Sequence, residues 1–246
     1  MNSFSWTAVA LLLFAGNSFA AVDQNKLATI VKDMLDKYDP KCMFSMAVSI
    51  PLKNTDQDYD INQVFTTENG NKVKEEILSG GVYKEGRIVA AKFLRKTKTT
   101  PEYHAEYRVL QNFNTLDNNN YFDHDLLLFY VFGSPCFHKC TNKEDTQNIL
   151  EKLKDIKKWK QYAFVFTDVF KSLNPEQSTS EEQRKQALTN LAEESGLGLE
   201  NIFRCAKSND QMLCVSCSTD KQVTPSCVSY DAQQAGTSNT QSSNQK

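Results

Sequence analysis

The chain has almost no excess of either charge: 28 Lys and Arg stand against 30 Asp and Glu in 246 residues, a formal net charge of −2. That balance excludes a bulk pull on polyanions, so any contact with nucleic acid has to come from a local basic patch. The one marked apolar run, Ala8 to Ala15, is well short of the roughly 20 residues that cross a membrane, so no membrane anchor is expected. No Asn-x-Ser/Thr triplet occurs, and N-glycosylation is not expected. With charged residues at 24% and aromatics at 11%, the composition is near the globular average, which excludes collagen-like repetition and wholesale disorder. Seven cysteines are too few for a cystine-dense mini-protein. The length fits one domain with appendages, or at most two small ones.

What is present begins with an address. The apolar run is followed by Ser18 and Ala20 bracketing Phe19, a small-x-small cleavage pattern, so residues 1–20 read as a signal peptide with Ala21 first in the mature chain. A secreted, extracellular protein matures where disulfides form. At least one bridge is therefore expected within Cys205–Cys227, although Cys214-Val215-Ser216-Cys217 also has the look of a second zinc site. The fifth cysteine outside the central motif, Cys42, starts a core strand and is expected to be buried. From about Asp231 the chain turns to Gln, Ser, Asn and Thr without apolar periodicity, which reads as a disordered tail over 231–246.

Between these ends, apolar spacing predicts the order α-β-β-α-β-α-β-α-β. Leu27, Ile30, Val31, Met34 and Leu35 mark a first helix that stops at Asp39-Pro40. Strands are expected over Met43–Ile50, Ile88–Leu94, Asp125–Phe132, Tyr162–Phe166 and Ile202–Cys205. A short helix is expected around Val73–Leu78. Thr100-Pro101 reads as a helix start running to about Phe113, and Ser134-Pro135 as another. Ser180 with Gln183 forms a capping box, and Gly196 closes that helix. The expected fold is α/β: a three-layer sandwich with one five-stranded mixed sheet and helices on its faces. Its main domain spans 21–205, and a cysteine-containing extension covers 206–230.

The chemistry concentrates in two motifs that each follow a strand. His104-Ala105-Glu106 opens one helix, and Ser134-Pro135-Cys136-Phe137-His138-Lys139-Cys140 opens the next. Cysteines four apart on a helix share a face, so Cys136 and Cys140 can grip one metal with His104 as third ligand. Three protein ligands leave the fourth tetrahedral position open, the mark of a catalytic zinc. Glu106 shares a face with Val109, Leu110 and Phe113 and points inward, where an ionised carboxylate is costly without a function or a partner. Beside a metal-activated water it can take a proton and deliver it to a leaving amine. Residues 104 and 106 converge only if the helix begins close to His104. A disulfide between Cys136 and Cys140 is the plainer alternative, and His138 is a rival ligand. Arg87, Lys92, Arg95, Lys96 and Lys98 form either a solvated edge or a phosphate contact at the pocket mouth.

The pairing of H-x-E with a later Pro-Cys…Cys resembles the signature of zinc nucleobase deaminases. The chain is similar to the AID/APOBEC-like cytidine deaminases over about Asp23 to Cys205, and with its signal it looks most like their secreted branch. The resemblance implies a cytidine-deaminase-like fold. It implies one Zn²⁺ per chain on His104, Cys136 and Cys140, with Glu106 as the catalytic proton shuttle and Phe170, Ser134 and Ala105 as candidate substrate contacts. The expected activity is zinc-dependent hydrolytic conversion of cytosine to uracil, in single-stranded DNA or RNA or in a cytosine nucleoside or nucleotide. Two departures bear on substrate. Gly133 stands where polynucleotide deaminases carry Trp, which removes an aromatic wall, and Asp168-Val169-Phe170 replaces an Arg-x-Tyr-like run. Phe170 can still stack on a base, whereas Asp168 repels a phosphate. A catalytically idle secreted zinc-containing binding protein and a free-nucleoside deaminase are the alternatives.

Overall fold

A computed structural model describes residues 22–53, 58–117, 123–172 and 178–230. The expected signal peptide and the expected tail lie outside the described residues.

Helix α1 (Gln24–Tyr38) starts where the Asp23 carboxylate accepts from the amides of Asn25 and Lys26, and it ends at Asp39, just before Pro40. Strand β1 (Phe44–Ile50) follows, then α2 (Ile61–Thr67) and α3 (Gly70–Ser79). The α3 segment includes the helix expected around Val73–Leu78. Its end is fixed by Gly80, whose φ of 92° lies in the left-handed region that glycine adopts without steric cost. The sheet continues with β2 (Val82–Glu85) and β3 (Ile88–Lys92), followed by α4 (Ala105–Gln111) and the single turn α5 (Asn114–Asp117). Then come β4 (Leu126–Gly133), the short α6 (Leu150–Leu153), β5 (Gln161–Asp168), α7 (Glu181–Ser195), β6 (Ile202–Ser208) and β7 (Gln211–Ser216). The predicted capping box of Ser180 and Gln183 opens α7, and Gly196 closes it at φ 69°.

The sheet has seven strands, in the order β2-β3-β1-β4-β5-β6-β7, where five were expected. The five expected strands are all present. The two extra ones are the edges, which carry weak apolar signals: β2 reads Val-Tyr-Lys-Glu with one buried residue, and β7 alternates exposed and buried positions. β7 pairs antiparallel with β6 from Phe203↔Ser216 to Ser208↔Gln211, so much of the 206–230 extension belongs to the main sheet. Pairings β4–β5 and β5–β6 are parallel; the others are antiparallel.

Strand periodicity divides the central apolar run between two cores. Leu127, Phe129 and Val131 of β4 meet Val109 of α4, Leu150 of α6 and Leu188 of α7, whereas Leu126, Leu128 and Tyr130 meet α1, α2 and α3. Helices therefore cover both faces of the sheet.

Two helix starts differ from expectation. The backbone of Tyr103 exchanges two hydrogen bonds with Leu94, at 3.0 and 2.9 Å, which holds it extended; the helix begins at Ala105 instead of near Pro101. After Ser134-Pro135 the chain makes successive turns, and α6 is only four residues long. Asn142, Asp145 and Asn148 bond nearby backbone groups there, offering the chain an alternative to the helix.

The two cystines lie at the C-terminal edge. Cys205–Cys214 crosses from β6 to β7, and Cys217–Cys227 is buried in the core. Cys42, expected buried, is half-exposed with a free thiol.

Candidate active site

The late start of α4 brings the site together. His104 is the N-cap, with extended backbone (φ −69°, ψ 144°), while Glu106 lies in the first turn. Their side chains therefore converge although they are two residues apart in sequence. The cysteines come from the turn after β4, where the amide of Thr141 donates to the carbonyl of Cys136 and that of Ile149 to Cys140. Cys136 and Cys140 thus meet on a turn, not on the expected helix face.

The metal-ligating atoms of His104, Cys136 and Cys140 all lie within 4.8 Å of one another, a spacing that can hold a metal ion. His104 Nδ1 is 3.1 Å from Cys140 Sγ and 3.9 Å from Cys136 Sγ. The two sulfurs are 3.3 Å apart and both thiols are free, so the disulfide alternative does not hold here. Glu106 Oε1 accepts from Cys140 Sγ at 2.9 Å and is 3.7 Å from His104 Nδ1. Glu106 itself is buried, with 8% of its surface exposed. His138 is exposed against the edge of Phe137 and stands outside the group, as does exposed His124.

The site favours positive charge at its centre. Burial disfavours the charged His104 imidazole, yet hydrogen bonds with Cys136 and Glu106 outweigh it and push its pKa up to about 10. Burial likewise opposes ionisation of Glu106, but His104 and then Cys140 hold the carboxyl below its ordinary value. The hydrogen bond with Cys140 lowers Cys136, while burial drives Cys140 up. A divalent ion answers the same preference with the imidazole neutral and the thiols ionised, because metal binding selects those forms. Two thiols, one imidazole and a carboxylate alongside are a donor set that suits zinc.

His104, Glu106 and Cys136 line one wall of a cavity of about 650 Å³, the size range of small-molecule sites, with Cys140 fully buried behind them. Ala105, Ser134 and Phe170, the expected substrate contacts, also line it. Ser134 braces the loop ends: its amide donates to the Asp168 carbonyl at 2.7 Å, and its Oγ accepts from the Phe170 amide at 2.9 Å. A Cβ built on Gly133 would make ordinary van der Waals contact with Phe170 and Met43 at 3.9 Å, without a clash. Asp168 lines the cavity too.

Of the basic cluster, only Lys92 and Arg95 line the cavity. The Lys92 ammonium donates to the Leu78 carbonyl, and Arg87, just before β3, pairs with Asp125. Sequence reasoning missed three residues here. Phe93 stands edge-on to the His104 ring, with centroids 5.6 Å apart. Glu102 and Lys139 meet next to the other ring nitrogen.

The chain matches, over residues 24–231, the model of a family described as Secreted Novel AID/APOBEC-like Deaminase 1, and it belongs to that family. No curated protein and no solved structure matches it.

Proposed function

We propose that this member of the secreted AID/APOBEC-like deaminase family is an extracellular zinc-dependent hydrolase that converts cytosine to uracil. The substrate is cytosine in single-stranded DNA or RNA, or in a nucleoside or nucleotide. The observation that carries this reading is the buried carboxylate of Glu106 beside three convergent soft ligands. A purely structural metal site has no use for that carboxylate, which counts against the idle-binder alternative.

In this reading His104 Nδ1 and the sulfurs of Cys136 and Cys140 hold one zinc ion. Zinc, when bound, supplies a Lewis acid that makes water a competent nucleophile at neutral pH. Glu106 takes a proton from the attacking water and returns it to the departing amine, so that a C4–O bond forms, the C4–N bond breaks and ammonia leaves. Phe170 offers a ring face for the base, Ala105 contributes apolar wall, and Ser134 fixes the loop that carries Phe170.

Residues 21–205 make up the catalytic domain, completed by the sheet edge and cystines that 206–230 contribute. A cleaved signal over 1–20 delivers the chain outside the cell. Secretion is supported by the family description and by two cystines. It is also consistent with the lack, among the described residues, of any helix long and apolar enough to cross a membrane.

A free cytosine nucleoside is the second reading, favoured by Asp168 on the cavity wall, whose charge opposes a phosphate. An assay of the purified mature protein on single-stranded DNA, RNA, cytidine and cytidine monophosphate, with and without chelator, tests both. Chelator-sensitive release of uracil and ammonia is expected from at least one substrate. A protein that holds no zinc and turns over none of them contradicts the proposal.

A further inference from the structure

The His104 ring has two nitrogens, and the mechanism uses only one. Nδ1 faces the cysteines; Nε2 faces the Glu102 carboxylate, with Oε1 at 3.5 Å. The same oxygen accepts from Lys139 Nζ at 2.8 Å. Lys139 lies between Cys136 and Cys140, so this one contact joins the segment that carries the histidine to the turn that carries both sulfurs. The segment is tied a second time, by Gln147 Nε2 donating to the Glu102 carbonyl at 3.0 Å.

We propose that Glu102, clamped by Lys139, is a positioning residue for the metal centre. A ring nitrogen can ligate a metal only through its lone pair, so with Nδ1 as ligand the proton has to sit on Nε2. A carboxylate beside Nε2 selects that tautomer and fixes the ring plane, as outer partners of metal-bound histidines do. Lys139 holds Glu102 in place and offsets its charge. Glu102 lines the cavity, and 35% of each side chain of the pair is exposed. Glu102 touches no reacting atom; it acts through His104.

This inference rests on the zinc reading above, and the test separates the two. Zinc affinity is measured by competition with a chromogenic chelator for the full mature chain and for Glu102→Ala, Glu102→Gln and Lys139→Met, alongside the melting temperature of each metal-free protein. The parent is expected to bind one zinc. Glu102→Ala should bind 10- to 100-fold more weakly, the usual cost of losing an outer partner. Glu102→Gln keeps an oxygen that accepts from Nε2–H and should recover most of that loss, and Lys139→Met should fall between. Melting temperatures of the metal-free forms should agree within a few degrees, which separates a metal-directed role from a structural one. Parent-like affinity in Glu102→Ala, with one zinc bound to the parent, overturns the positioning role and leaves the zinc reading intact. A parent that binds no zinc overturns both. If Glu102→Ala fails to fold, Lys139→Met decides: parent-like affinity there contradicts the clamp, and weakened affinity with an unchanged metal-free melting temperature supports it.

Discussion

At the scale of the residue, the site was legible because few chemical explanations fit its letters. An inward Glu106 next to His104, with Cys136 and Cys140 following a second strand, reads as a buried carboxylate in need of partners, and the structure places it against Cys140 Sγ and His104 Nδ1. Glu102 was not legible in the same way. A glutamate before a helix looks like any acidic residue there, and only the orientation of the His104 ring shows which nitrogen it serves. A first prediction belongs here. Cys136→Ser removes a soft ligand from a site whose remaining donors are Cys140 and His104, so zinc retention after dialysis should fall from about one per chain to below about one tenth. Elemental analysis checks this, and full occupancy in the Cys136→Ser protein would show that the ligands lie elsewhere.

At the scale of the element, strands buried on both faces were readable and edge strands were not. β4 is a continuous apolar run because each face meets its own helical layer. β2 and β7 contribute one face or a few residues to the core, and their sequences look like loops. The two misplaced helix starts have a common cause. Proline after a capping residue marks where a helix is permitted, but backbone pairing at Leu94–Tyr103 and side-chain turns at Asn142–Asn148 decided where it begins. The C-terminal segment is held by Arg204, which is only 5% exposed and donates to the carbonyls of Thr167, Ser226 and Ser229 at 3.3, 2.6 and 2.8 Å. Replacing it by Met leaves buried acceptors without their charged donor, so Arg204→Met should lower unfolding stability by about 3 kcal/mol. Urea titration reads this as a lower midpoint at unchanged slope; an unmoved midpoint would show that the extension is secured mainly by its cystines.

At the scale of the whole molecule, the sheet runs on into the C-terminal segment through β6 and β7, and the proposed zinc site joins two of its connections. The proposed ligands come from the start of α4 and the turn after β4, on either side of β4 in sequence, so zinc bound there would stabilise the long-range arrangement. With free zinc at about one hundred times its Kd, binding adds about 2.7 kcal/mol. Chelation should therefore lower the melting temperature by about 5–10 °C for a chain of this size, and added zinc should restore it. No change on chelation would contradict a zinc site coupled to the fold.

The central claim is that Glu106 moves protons at a zinc site, and it is tested most directly by measuring uracil release and zinc content together in the parent and in Glu106→Gln. Glutamine keeps the shape of the side chain but cannot accept the proton. Because one residue serves both the attack and the departure of ammonia, turnover should fall toward the upper end of the roughly 10²–10⁴-fold range of acid–base catalysis. Zinc should stay near one per chain, since Glu106 is not among the proposed ligands. Deamination by Glu106→Gln at the parental rate on a substrate the parent turns over would contradict the account.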